Sequence, residues 1–329
     1  MKNLLPLLVL LVTAGCASGQ DKPRPIKATE KQQVRVSIPV GQYSGITFVG
    51  GNQFAAVHDK ADGSGIFSFV VQMDSLANLG VVIVSELAAN ASGEKGMDNE
   101  DLVYVPGRHS LFVVSETTQT VREYSLTGKP TGASLAIPEE FRTGKIVPGR
   151  GFESLAYNAV TGLFWTTTEM PLQADSLFRL QSFSDKTLEA GEQYLYAADE
   201  PSVSAGAASS AKAYVFGVPA ITALDDGRLL VMERELYVPS TGLGAMLTES
   251  FSRTKLFVVD PVRCKEPVLE KTLLLSFDTS ALNLADFEGM CLGPVLPGGE
   301  QMLLLIADSQ GSMNGLIGEY LKVVLLKYD

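Results

Sequence analysis

An all-β fold, a β-propeller of five four-stranded blades, is what this 329-residue sequence predicts. Three observations carry that expectation. From residue 33 onward, short runs of β-branched and aromatic residues recur between Gly, Asp, Asn and Pro, and long 3.6-residue periodicity is scarce. Five of these runs open repeated units: SGITFV (44–49), EDLVYV (100–105), ESLAYN (153–158), PAITAL (219–224) and EGMCLG (288–293). Each is followed by a turn and a second apolar run with a polar or acidic end: FAAVHD (54–59), LFVVSE (111–116), LFWTTTE (163–169), LLVMERE (229–235) and MLLLIAD (302–308).

The chain starts with a segment that reads as an address. Lys2 precedes an apolar run from Leu4 to Val12, interrupted by Pro6 and followed by Thr13-Ala14-Gly15-Cys16. The run is too short to span a bilayer and has the form of a signal-peptide core. Small residues before Cys16 resemble the bacterial lipobox, so residues 1–16 are expected to be a lipoprotein signal peptide with Cys16 as the lipidated residue. The protein is then expected to be exported and anchored to a bacterial membrane through that lipid alone, at the periplasmic face or cell surface. Residues 17–32, polar with prolines and without apolar periodicity, read as a flexible tether, and residues 33–329 as one propeller domain.

Two further strands follow in units one to four: GIFSFVVQMD and LGVVIVSE, TVREYSL and GASLAIP, SLFRLQSFS and EQYLYAAD, RTKLFVVD and EKTLLLSFD. Unit five has only YLKVVLLKYD before the chain stops, and QVRVSIPV (33–40) is the strand available to complete it. Closure of that kind removes the open sheet edge. Unit starts lie 53 to 69 residues apart, more than the ~40–45 of compact propeller repeats, so the excess belongs in loops. The largest, 200–217, is small and polar and is a candidate lid. Six blades, one hidden in irregular segments, and a two-sheet jelly roll are the alternatives; the jelly roll leaves the repeated opening motif unexplained.

Composition narrows the function. The formal net charge is −11, with 37 acidic residues against 26 Lys and Arg, which argues against nucleic-acid partners by repulsion of phosphates. Two His and three Cys leave little for a His/Cys zinc site or a disulfide framework, and Cys264 and Cys291 read as free thiols. P-loop, dinucleotide, HExxH and nucleophile-elbow patterns are missing.

In a propeller blade the start of the first strand and the end of the second meet at one face. Glu100, Glu153 and Glu288 begin first strands, and Asp59, Glu116, Glu169, Glu233 and Asp308 end second strands. Eight carboxylates are therefore expected around one mouth of the central channel, where their repulsion demands compensation. Ca²⁺, a hard cation taking six to eight oxygens, suits Glu100, Glu153 and Glu288. Glu169, Glu233 and His58 are the candidates for proton transfer, and Arg150, Arg234 and Lys60 for holding an anionic substrate group. His109, in the turn PGRHSLF, reads as solvated.

Three stretches carry a family resemblance: Gly151-Phe152-Glu153-Ser154-Leu155-Ala156, the run from Asp226 to Arg234 (DGRLLVMER), and Asp286-Phe287-Glu288-Gly289-Met290 with the run from Leu303 to Ser309 (LLLIADS). In order and spacing they resemble the phytase-like family, known as "esterase-like activity of phytase" proteins, over roughly residues 40–329. The resemblance implies an exported propeller and a hydrolase of phosphoesters or carboxylesters. Two functions follow as expectations: a metal-assisted hydrolase of a small anionic ester, or a non-catalytic anchored propeller that binds a glycan, peptide or protein. The chain is expected to be a monomer.

Overall fold

The computed structural model describes residues 23–36, 42–60, 65–87, 94–142, 144–240, 242–309 and 316–329. Cys16 and the expected signal peptide lie outside them. Among the described residues no helix is long and apolar enough to cross a membrane.

The chain enters through β1 (Ile26–Arg35) and then builds four antiparallel sheets from consecutive strands. Blade one is β2 (Tyr43–Gly50), β3 (Gln53–His58), β4 (Ile66–Met73) and β5 (Leu79–Glu86); blade two is β6 (Asn99–Val105), β7 (Ser110–Ser115), β8 (Thr120–Ser125) and β9 (Pro130–Ser134). Blade three is β10 (Phe152–Asn158), β11 (Leu163–Thr168), β12 (Phe178–Ser184) and β13 (Ala190–Tyr196); blade four is β14 (Ala213–Ala223), β15 (Leu229–Val238), β16 (Phe251–Val259) and β17 (Lys271–Ser280). The fifth blade consists of β18 (Asp286–Val295), β19 (Gln301–Asp308) and β20 (Tyr320–Tyr328), and β1 pairs antiparallel with β20 as its outermost strand. The fold is thus a five-bladed propeller closed by its N-terminal strand.

The closing strand is displaced from its expected position. It was expected at 33–40 and lies at Ile26–Arg35, running from Ile26 opposite Tyr328 to Arg35 opposite Tyr320. The presumed tether is therefore sheet over residues 26–32. Its polar composition has a physical reason: β1 is an outer edge strand, mostly exposed or half-buried, and charged side chains on such an edge discourage pairing with other chains.

Strands inside a blade are buried on both faces, and the alternation of side chains assigns each face to a neighbouring blade. In β19, Leu303 and Leu305 pack toward blade four, while Leu304 and Ile306 pack toward blade one. In β15, Leu229 and Val231 face blade three, while Leu230 and Met232 face blade five. Five apolar wedges result, one between each pair of adjacent blades; Phe112 with Phe152, Phe164 and Phe183 fills the wedge between blades two and three. Truncating such a buried ring to Ala costs about 3–5 kcal/mol.

The unit with the long 200–217 insertion departs from the lid expectation. The segment contains a short helix, α1 (Ala205–Ser210), and is fastened at its base. The Glu235 carboxylate accepts from the Ser202 N–H at 3.0 Å, the Ser202 hydroxyl at 2.6 Å and the Val203 N–H at 2.9 Å. Much of the extra length lies in β14 and β15, of 11 and 10 residues, and in α2 (Leu243–Glu249). Cys264 and Cys291 are free and buried.

Candidate active site

All five first strands carry a β-bulge at the same place. Register slips by one residue between Tyr43 and Gly45, Asn99 and Asp101, Phe152 and Ser154, Gly217 and Ala220, and Phe287 and Gly289. The displaced positions include Ser44, Glu100, Glu153, Pro219 and Glu288, the opening residues of the sequence repeat. A bulge frees a residue from the ladder and re-aims its side chain. Here Glu100, Glu153 and Glu288 come within electrostatic reach of one another, although they arise from blades two, three and five.

One side of this mouth has its own cation. Arg234 is fully buried and bonds Glu169 at 2.5 Å, Asp286 at 3.2 Å, and Glu288. Against burial, the Asp286, Glu288 and Glu169 charges hold the Arg234 guanidinium in its charged form, well above its ordinary pKa. Glu169 sits between two cations, with Oε1 on Arg234 and Oε2 on Arg150 at 2.5 Å. Its backbone also ties two first strands together: its N–H donates to Gly151 and its carbonyl accepts from Val218 at 3.1 Å. Gly217 is required there, because a Cβ would stand 2.2 Å from that carbonyl oxygen.

The other side has no such cation within the cluster. Asp98, Glu100 and Glu116 each present a carboxylate oxygen, all within 4.8 Å of one another. Burial first, then the Asp98, Asp59 and Glu116 charges, push the Glu100 carboxyl well above its ordinary pKa, against a hydrogen bond from Ser44. Asp98 and Glu116 are pushed up too, burial being the largest cause for each. The donor set is all oxygen and spaced for a hard divalent cation with oxygen ligands at about 2.3–2.6 Å, so the group suits Ca²⁺. Glu116 is oriented by the next blade, its Oε1 accepting from the Gly151 N–H at 2.5 Å. Gln119 completes the brace, donating to the Glu116 carbonyl at 2.7 Å and accepting from the Phe152 N–H at 3.1 Å. A Cβ on Gly151 would meet that Gln119 amide at 1.8 Å.

Glu153 lies between the two sides. Burial raises its carboxyl well above the ordinary value, and the Glu100, Glu169 and Glu288 charges raise it further, with Arg234 opposing. No hydrogen bond among the described residues holds this carboxyl. It is protonated where an ordinary glutamate is ionised, which suits a proton donor.

The remaining sequence candidates have these positions. Glu233 turns away from Arg234 and into blade three, where it accepts from Tyr196 at 2.5 Å, Lys271 at 2.7 Å and the Asp199 N–H at 3.0 Å. The reason is strand alternation: position 233 shares its face with Leu229 and Val231, and position 234 with Leu230 and Met232. Arg234 has both terminal nitrogens engaged by carboxylates, so it compensates charge rather than presenting a fork to substrate. Arg150 is one-third exposed and bonds Glu169 through Nη1. Lys60 is exposed, pairs with Asp59, and is held above its ordinary pKa, against burial, by Asp59 and then by Asp98 and Glu100. His58 is buried against Tyr43, with its Nδ1 accepting from the Lys60 N–H at 3.0 Å. Asp98 was missed by sequence reasoning, yet a signal existed: Asp98-Asn99-Glu100 repeats the spacing of Asp286-Phe287-Glu288.

A cavity of about 480 Å³ opens beside Asp98 and Glu116, with Ile146, Val147 and Pro148 in its wall. At the opposite ends of the first strands a cavity of about 250 Å³ is lined from all five blades, and Asp225 is the one charged residue among those lining it. Titratable chemistry is therefore concentrated at the first mouth.

The family model described as "Esterase-like activity of phytase" (Phytase-like) matches residues 38–310. No curated protein matches the chain. Among solved structures, the chain is similar to the catalytic domain of the Coprinopsis cinerea GH62 α-L-arabinofuranosidase, at 10% identity over 93% of this chain and 98% of that one, with a TM-score of 0.49. It is similar also to a DUF4221 family member from Bacteroides vulgatus, at 9% identity over 94% and 99%, TM-score 0.45. A third is the periplasmic gluconolactonase of Pseudomonas aeruginosa, at 16% identity over 83% and 67%, TM-score 0.34.

Proposed function

The chain belongs to the phytase-like family, whose description is "esterase-like activity of phytase", and from that premise we propose that it hydrolyses an ester at the acidic mouth of its propeller. One observation carries the reading: Glu153, at the junction of the two charge clusters, has a carboxyl pushed well above its ordinary pKa and bound by no neighbour. A carboxylic acid of that kind can protonate a leaving oxygen at a pH where an ordinary glutamate is already ionised, and its conjugate base can then take a proton from water.

The surrounding groups support the same chemistry. Arg150, fixed by Glu169, directs its open edge toward a substrate oxygen. Asp98, Glu100 and Glu116 would hold a divalent cation, most suitably Ca²⁺, which supplies charge stabilisation to an ester oxygen when bound. Arg234 bonds Glu169 and Glu288 and holds both carboxyl groups in place beside Glu153.

Hydrolysis of phosphomonoesters and short acyl esters, in Ca²⁺ and in chelator, tests the reading. Glu153→Gln is expected to lower kcat by about 10²–10⁴-fold, the usual contribution of a positioned acid. A wild type inert toward both ester classes under all conditions would leave the anchored binding module as the function. The amino-terminal sequence supports export and anchoring at Cys16. Cys16→Ser is then expected to shift the protein from the membrane fraction to the soluble or precursor fraction.

A further inference from the structure

Resting on the hydrolase reading above, we infer that the cavity beside Asp98 and Glu116 is the subsite for the apolar arm of a neutral carboxylic ester, and that phosphate-rich substrates are excluded from this mouth. Two independent features lead there, one of shape and one of charge.

The cavity, about 480 Å³, falls in the range that encloses a small ligand. Asp98 and Glu116, beside which an ester group would be processed, line it at one part, and Ile146, Val147 and Pro148 supply its apolar wall. Among the described residues that line it, none is cationic; Gln119 and Gln173 supply neutral polar groups. The wall is held in place: the Gln173 side chain donates to the Ile146 carbonyl at 2.7 Å, and the Arg150 N–H donates to the Val147 carbonyl at 3.0 Å.

Charge at the mouth opposes polyanions. Asp59, Asp98, Glu100, Glu116, Glu153, Glu169, Asp286, Glu288 and Asp308 belong to one electrostatic network, against Lys60, Arg150 and Arg234. Arg234 is buried with its terminal nitrogens occupied, Arg150 is bonded to Glu169, and Lys60 to Asp59. A substrate with several phosphates needs several open cationic forks. This mouth offers one free guanidinium edge, and a single divalent cation leaves the balance negative. A neutral ester needs only that edge for its carbonyl oxygen and an apolar surface for its arm.

The experiment uses the full chain and separates the subsite from the chemistry. Binding of acetamide, butyramide and hexanamide, as uncharged ester stand-ins, is measured beside inorganic phosphate and inositol hexakisphosphate, with and without Ca²⁺. Affinity is expected to rise about two- to fourfold per methylene, and hexanamide to bind more tightly than either phosphate. Val147 is half-buried and lies outside the inter-blade wedges, so Val147→Asp is expected to abolish the chain-length dependence while Val147→Leu keeps it. Amide affinities independent of length, or inositol hexakisphosphate binding more tightly than hexanamide, would overturn the subsite. Hydrolysis of p-nitrophenyl acetate, hexanoate and phosphate is read separately. Length-dependent amide binding without turnover of any ester sinks the hydrolase reading and supports the subsite. Phosphate turnover with flat amide binding does the reverse.

Discussion

The two sides of the acidic mouth are built from the same repeat and handle their charge in opposite ways. Around Arg234, three carboxylates from blades three and five surround one buried guanidinium. Around Glu100, three carboxylates within 4.8 Å face one another, and the cations acting on them are the exposed Lys60 and, at Glu116, Arg150. The first side is complete within the chain and serves as scaffold. The second is incomplete, and a group of like charges persists in a fold only when protons or a bound cation offset it. Glu153, between them, takes the proton route.

The largest expected effect comes from removing the internal cation. Arg234→Met leaves Glu169, Asp286 and Glu288 without their shared partner and is expected to destabilise the fold by about 3–5 kcal/mol at neutral pH. The deficit should shrink as pH falls, because the abandoned carboxyls then protonate. Urea melts at pH 5 and 8 check both statements, and an equal loss at the two values would contradict the charge account.

Substituting one carboxylate on each side gives effects of opposite sign. Glu288→Gln removes a partner of Arg234 and is expected to cost about 1–3 kcal/mol. Glu100→Gln relieves repulsion and, in chelator, is expected to leave the protein as stable or up to about 1 kcal/mol more so. Ca²⁺ should raise the melting temperature of wild type and of Glu288→Gln, and raise it far less in Glu100→Gln or Asp98→Asn. Two variants with the same sign in chelator would erase the distinction between the sides.

Glu153 sets a pH dependence whose sign is fixed. Its folded pKa is raised above the ordinary 4.5, so the folded state keeps a proton that the unfolded chain has released. The stabilisation is fully present below pH 4.5 and is lost as pH rises through the folded value, with a slope of at most about 1.4 kcal/mol per pH unit. Glu153→Gln stays neutral throughout and should flatten this decline between pH 5 and 8. The smallest effect is expected at Lys60, whose exposed pairing with Asp59 is worth well under about 1 kcal/mol. Lys60→Met should barely move the chelator melt, yet tighten Ca²⁺ binding by removing a competing charge.

Much of this contrast was open to a reader of the sequence, and parts were not. The repeated runs and missing twentieth strand predicted five blades and an N-terminal closure, and both are present. The closing strand was misplaced because an exposed edge strand and a solvated tether share a polar composition. Glu233 and Arg234 could have been sorted by alternation, since the apolar residues preceding them mark which blade each side faces. The five bulges carry no local signature, because the displaced residues are Ser, Glu, Glu, Pro and Glu.

The sequence by itself determined the blade count and showed acidic residues recurring at the starts of first strands and the ends of second strands. Short β-branched and aromatic runs and a repeated start motif are local properties, readable one unit at a time. Only the tertiary structure decided which carboxylates have a partner. Arg234 meets Glu169, Asp286 and Glu288 because ring closure and bulge geometry bring together residues more than fifty positions apart. Asp98, Glu100 and Glu116 lie two blades away, beyond the reach of a buried side chain whose nitrogens are already taken. Whether a charge is compensated depends on distances of a few ångströms in a poorly solvated channel, and those are set by the packing of blades against one another.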